Sequence, residues 1–277
     1  MKRLAKQTFT DTFHAIQKEH EDYICSNGNG TFNKKILIIA IVVCISLACI
    51  EYIGKNDGYY ILLRFFTFLG FTESADRIKF FIEHEANHQL FSLAYWVFII
   101  MVFYFLVPAL IIKLVFKEKL HDYGLSGGSV FKEYRIFTLF LIIMIPLILI
   151  FSTTESFQER YPFYHLPNTE PLWPNFFTWQ LFYFIQFIAL EFFFRGFLVH
   201  GLKKQFGYYS VFIMTIPYCM IHFGKPFPET MAAIIAGIIL GTLSLKSRSI
   251  WMGVAIHYIV AFSMDISALW QKGYWTH

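Results

Sequence analysis

Charge is scarce in this chain. Lys, Arg, Asp and Glu make up 15% of its 277 residues, against about 25% in an ordinary soluble domain. That shortage excludes a solvated globular protein. Cysteine is also sparse, with four residues and no C-x-x-C pair, so neither a disulfide framework nor cysteine metal or redox chemistry has support. The first 33 residues hold no apolar core, which argues against a cleaved signal peptide. No paired inverted repeat is visible, which weakens a transporter with an intramembrane proton relay. The net charge of +4 calls for no nucleic-acid partner, because basic residues are expected beside the cytoplasmic ends of membrane spans.

What fills the chain instead is hydrocarbon. Apolar residues account for 56%, aromatics for 20% with 34 Phe among them, and mean hydropathy is +0.51. This composition predicts an all-α, polytopic transmembrane bundle in contact with membrane lipid. Apolar runs of the ~20 residues needed to cross a bilayer predict about seven spans, at 36–53, 91–112, 136–152, 176–202, 208–222, 230–245 and 250–269. Pro108 predicts a kink near the end of the second span. Residues 54–90 mix aromatic pairs with Arg64, Arg77, Glu73, Glu83 and Glu85, and read as interfacial or extramembrane helix. Phe9, Phe13 and Ile16 mark one face of a short N-terminal surface helix.

Orientation follows from the basic residues. Segments 1–35, 113–135, 203–207 and 246–249 hold six, five, two and two of the 23 Lys and Arg. This bias predicts the N-terminus inside and the C-terminus outside. The chain divides into a polar N-terminal region (1–35), N-terminal spans with their loops (36–172), a helical core (173–269) and a short tail (270–277).

The informative exceptions are ionisable residues inside apolar runs, where they are costly and rare. Glu191 and Arg195 stand four apart in Leu190-Glu191-Phe192-Phe193-Phe194-Arg195-Gly196 and share a helix face. Taken alone, the pair fits a structural ion pair as well as it fits a catalytic one. His222 closes the fifth run, where a boundary histidine is more often a satisfied interfacial residue than a ligand. His257 sits about seven residues into the last run and needs a partner inside the bundle. One carboxylate and two imidazoles can bind Zn²⁺ through Glu191, His222 and His257 with one position left for water. The same set can activate water directly, with glutamate as base and histidine as oxyanion donor. Spacing alone does not choose between them. Gly237-x-x-x-Gly241 permits close helix approach and predicts packing only.

The order of these residues resembles the CPBP family of intramembrane proteases, which includes the CAAX prenyl endopeptidases and bacteriocin-immunity-type membrane proteins. The family's motifs E-E-x-x-x-R, F-x-x-x-H and H-x-x-x-N/D are matched by Leu190-Glu191-x-x-x-Arg195, Tyr218-x-x-x-His222 and His257-x-x-x-Ala261. Asp122-Tyr123-Gly124-Leu125 looks like the family's upstream element, and the resemblance covers roughly Trp173 to Leu269. It implies a peptidase acting on a peptide or protein substrate at or within the membrane. Glu191, His222 and His257 would be catalytic groups or metal ligands, and Arg195 the orienting partner. It also implies the plasma membrane of a bacterium. Two positions depart from the family: Leu190 stands where the water-activating glutamate is usual, and Ala261 where an Asn or Asp is. Asp265, eight residues after His257 and about 12 Å along the helix, lies too far to replace the latter. These departures keep open a non-catalytic binding or immunity protein on the same fold.

Overall fold

The computed structural model describes residues 2–27, 33–55, 58–84, 87–127, 134–167 and 170–275. Among them all regular structure is helical, and the chain is a polytopic helical bundle. In order the helices are α1 (Lys2–Asn27), α2 (Lys34–Gly54), α3 (Tyr59–Phe68), α4 (Thr72–His84), α5 (His88–Phe116) and α6 (Tyr134–Phe151). They continue with α7 (Glu155–Arg160), α8 (Asn175–Phe206), α9 (Tyr209–Met220), α10 (Phe227–Ser247) and α11 (Trp251–Gln271).

Six of these, α2, α5, α6, α8, α10 and α11, are long and apolar enough to cross a membrane, and the chain is an integral membrane protein. Among the described residues six helices meet this length against the about seven expected, and the difference lies in the 208–222 run. Helix α9 has 12 residues, about 18 Å at 1.5 Å per residue, well short of a full crossing. It contains Pro217 and gives way to a turn over 221–224 in which Gly224 takes φ +83°. Region 54–90 forms α3 and α4, which are too short to span, as the charge mixing suggests.

Three helices carry irregularities that the sequence only half announces, the first being α2, whose last turn widens to i→i+5 bonding over Ile50–Gly54. In α5 the backbone widens to i→i+5 bonding over Met101–Leu106 and again over Ile111–Phe116, on either side of Pro108. Proline removes a backbone donor, and the wide turns carry the helix through that gap. Helix α8 does the same over Phe192–His200 with no proline. Such π segments concentrate at functional sites. Phe192, Phe193, Phe194 and Phe197 from this segment are fully buried, and Tyr104 of α5 stacks on Phe193 at 4.1 Å between ring centroids.

The four basic segments meet at one end of the bundle. Lys35 bonds both oxygens of Glu118 at 2.9 and 2.7 Å. Ile250 N–H donates to the Gly124 carbonyl at 3.0 Å, and Ser126 Oγ to the Arg248 carbonyl at 2.8 Å. Helix α1 is more than a short surface element. It runs 26 residues, buries Thr12 and Ile16, sets Phe13 edge-on to Tyr208, and pairs Glu19 with Lys203. At the same end, burial alone would raise the Glu118 carboxyl. The hydrogen bonds from Lys35 and Tyr123 outweigh it and hold the group below its usual range.

Gly237 and Gly241 of α10 pack as their spacing suggests. A Cβ there would lie 3.0 Å from Thr215 Oγ1 and 2.9 Å from Val211 Cγ1, both on α9.

Candidate active site

Helices α8, α9 and α11 bring the motif residues together. Glu191 and Arg195 are fully buried on α8, with Arg195 Nη1 at 3.1 Å from Glu191 Oε1. His257 Nδ1 of α11 approaches the same oxygen to 2.6 Å. Both are ion-pair distances, but neither contact has the angles of a directed hydrogen bond. We read them as close charge contacts that a small rotation turns into bonds. A nitrogen so near an acceptor-only carboxylate must carry the proton, so Nδ1 is the N–H of His257.

Gly253 makes this contact possible. A Cβ on it would lie 2.1 Å from Glu191 Oε2 and 2.7 Å from its Cδ, so the carboxylate rests directly against the α11 backbone. Gly196 allows a similar approach on α8, where a Cβ would meet the Tyr123 carbonyl at 2.6 Å. The upstream Tyr123-Gly124 element therefore seats against α8 and, through Gly124, against the start of α11.

Tyr218 of α9 ties the site together. Its hydroxyl lies 2.6 Å from His257 Nε2, its ring lies under the Arg195 guanidinium at 4.1 Å, and its carbonyl lies 2.8 Å from His222 Nδ1. Cation–π contact of this kind is worth ~2 kcal/mol or more when desolvated. Because a carbonyl only accepts, His222 Nδ1 must be its N–H, and the lone pair falls on Nε2. Among the described residues Nε2 has no hydrogen-bond partner. Phe187 stacks on the His257 ring at 5.4 Å and 10°. The sequence singled out Tyr218 only as a motif aromatic; its hydroxyl and ring contacts had no signal in spacing.

These groups border a cavity of about 880 Å³. Tyr183, Gln186, Phe187 and Leu190 of α8 line it at helical spacing, with Tyr218, His222 and His257 across from them. Leu190 and Ala261, the two departures from the motifs, both face it. Glu191 and Arg195 lie behind this wall, closed off from solvent. Asp265 is elsewhere: it accepts from Phe163 N–H and from Gln180 Nε2, each at 2.8 Å, and so joins α11 to α8 and to the loop after α7.

Zinc on Glu191, His222 and His257 was one of the two arrangements left open by the sequence, and these side chains as placed do not present three donors to one point. Arg195 and His257 both crowd Glu191 Oε1, Glu191 Oε2 rests against the Gly253 backbone, His257 Nε2 is taken by Tyr218, and His222 Nε2 is the open nitrogen of the set. Among the described residues no three His, Cys, Asp or Glu side chains are grouped to hold a metal.

Residues 171–263 match the family model described as Rce1-like, type II CAAX prenyl endopeptidase. The match takes in α8, α9, α10 and the first 13 residues of α11, about a third of the chain. No curated protein and no solved structure matches the chain.

Proposed function

We propose that this protein is a membrane-embedded endopeptidase that hydrolyses a peptide bond held in the cavity beneath Leu190. The observation that carries the reading is the tautomer of His222. Its Nδ1–H is spent on the Tyr218 carbonyl, which leaves the lone pair on Nε2, and His222 lines the cavity. In this scheme His222 takes a proton from water as the oxygen attacks the carbonyl carbon. It returns that proton to the leaving amine as the C–N bond breaks. His257, held by Glu191 and bonded to Tyr218, borders the same space and orients the tyrosine.

The expected role of Glu191 as base changes in this scheme. A carboxylate pinned by arginine and imidazole, with no cavity exposure, positions His257 in the way a buried acid fixes a histidine tautomer. Arg195 is its charge partner one helical turn on, at 3.1 Å. The substrate is a membrane-associated peptide or protein, and the membrane is the plasma membrane of a bacterium. The family match and the placement of Tyr218, His222 and His257 on one cavity support the peptidase reading.

The test uses the purified full-length protein in lipid nanodiscs with internally quenched peptides, with and without a farnesyl group. Wild type should cleave. His222→Ala should lose activity by at least the 10²–10⁴-fold typical of a general base, and Glu191→Gln should lower turnover less. Binding without cleavage by wild type would point instead to a non-catalytic binding protein.

A further inference from the structure

The motif comparison leaves the site short of a group to meet the negative charge that develops on the carbonyl oxygen. Ala261 cannot do it. The cavity holds a polar cluster that none of the three motifs contains: Lys225, Glu229 and Tyr161 all line it. Lys225 lies three residues beyond His222, and its backbone N–H donates to the His222 carbonyl at 3.2 Å. Thr230 Oγ1 donates to the same carbonyl at 2.9 Å. The turn that carries His222 is therefore stitched to the first turn of α10.

Within that frame the Lys225 ammonium is held, not loose. Its Nζ donates to Glu229 Oε1 at 2.6 Å, and Tyr161 O–H donates to Glu229 Oε2 at 2.8 Å. Tyr161 is itself fixed, since its ring is buried and Lys272 Nζ donates to its carbonyl at 2.8 Å. Both members of the Lys225–Glu229 pair are largely buried, with side chains 21% and 19% exposed. An ammonium has three N–H donors, and one is used here. Lys225, His222 and His257 line the same cavity.

We infer that Lys225 is the oxyanion-stabilising residue of this site, with Glu229 and Tyr161 as its positioning residues. As water attacks, the carbonyl π pair moves onto oxygen and the new anion is met by a free Lys225 N–H. When the C–N bond breaks, the pair returns to re-form the carbonyl, the proton on His222 goes to the leaving amine, and Lys225 ends unchanged. A preorganised donor in a dry site is worth far more than the same donor in water. The role gives a function to a partly buried cation that lines the same cavity as two imidazoles.

This inference rests on the peptidase reading, and the experiment separates the two. Steady-state cleavage of the nanodisc protein is compared for wild type, Lys225→Met, Lys225→Arg, Glu229→Gln and His222→Ala, with thermal unfolding of each. Lys225→Met should lose about 100-fold in kcat with KM within about twofold of wild type. Lys225→Arg should recover some of that loss. Glu229→Gln should fall by about tenfold in kcat, because it loosens the ammonium without removing it. If Lys225→Met keeps wild-type kcat while His222→Ala is inactive, Lys225 has no such role and the peptidase reading stands. A loss in Lys225→Met that follows unfolding, with Lys225→Arg and Glu229→Gln folded and fully active, overturns it equally. If wild type cleaves nothing, both fall together.

Discussion

Replacing Gly253 by alanine probes the buried charge cluster through a single methyl group. In the interior of an exposed helix this change would gain about 1 kcal/mol of helix propensity. Here the new Cβ arrives 2.1 Å from Glu191 Oε2 and 2.7 Å from Cδ, so the carboxylate has to retreat by more than an ångström. The end of a flexible side chain usually yields cheaply. This one is enclosed, with Arg195 Nη1 at 3.1 Å and His257 Nδ1 at 2.6 Å on the same oxygen and no solvent to move into. Overpacking a filled core costs about 1–3 kcal/mol, and loosening a buried ion pair adds a fraction of the ~3–5 kcal/mol that breaking one costs. Strain therefore wins over propensity, and Gly253→Ala should destabilise the protein by about 1–4 kcal/mol. The assay is reversible unfolding in mixed micelles by SDS titration, run as a double-mutant cycle. Glu191→Ala alone should be strongly destabilising, because it strands Arg195. Adding Gly253→Ala to that background should cost nothing more, since the space is vacant, so the coupling equals the full single-variant cost of about 1–4 kcal/mol. Gly127→Ala, where a Cβ meets nothing within 4 Å, serves as the neutral control. A Gly253→Ala protein as stable and active as wild type, or one whose cost persists without Glu191, would refute the placement of that carboxylate.

Other outcomes follow from the same structure. Gly196→Ala should destabilise by at least as much as Gly253→Ala, because the atom in its way is the Tyr123 carbonyl, which cannot rotate aside. SDS titration reads this directly. Glu118 carries a folded-state carboxyl below its unfolded value, so its contribution is complete above the unfolded carboxylate pKa of ~4.3 and is lost as pH falls through the folded one. The stability difference between wild type and Glu118→Gln should therefore be flat near neutrality and shrink below about pH 4. Prolonged dialysis against EDTA should leave cleavage unchanged, since Glu191, His222 and His257 do not converge on one point. Loss of activity restored by added Zn²⁺ would show that these donors regroup.

Fold class was legible because lipid leaves few choices: low charge and long apolar runs admit little but a helical bundle. The basic segments at 1–35, 113–135, 203–207 and 246–249, which the charge bias puts on one side, meet at one end of the bundle. Helix α9 misled because hydropathy measures composition, and Tyr208 to His222 is apolar throughout, whereas its helical length is set by Pro217 and the Gly224 turn. The π segment of α8 left no mark in sequence, since widened bonding needs no special residue.

The candidate site was half visible. Glu191, Arg195, His222 and His257 stand out because charge inside an apolar run is expensive. What periodicity could not tell was which side of α8 faces the cavity. Leu190 does, and Glu191 lies behind it against Gly253. Gly253 and Gly196 looked like ordinary helix glycines, although each marks a place where another group touches bare backbone. Lys225 and Glu229 escaped notice for the opposite reason. Charged residues in a Gly-Lys-Pro turn at the mouth of a span look like routine boundary residues, and only the contacts to Tyr161 and to the His222 turn set them apart.

The central claim is that His222 activates water in a membrane-embedded peptidase. Its most direct test is single-turnover cleavage of a quenched peptide by the full-length protein in nanodiscs, comparing wild type with His222→Ala at matched folding. The account predicts peptide products whose new carboxylate carries ¹⁸O from H₂¹⁸O with wild type, and none with the variant. Equal cleavage by both proteins, or no cleavage by wild type across prenylated and unprenylated peptides, would contradict it.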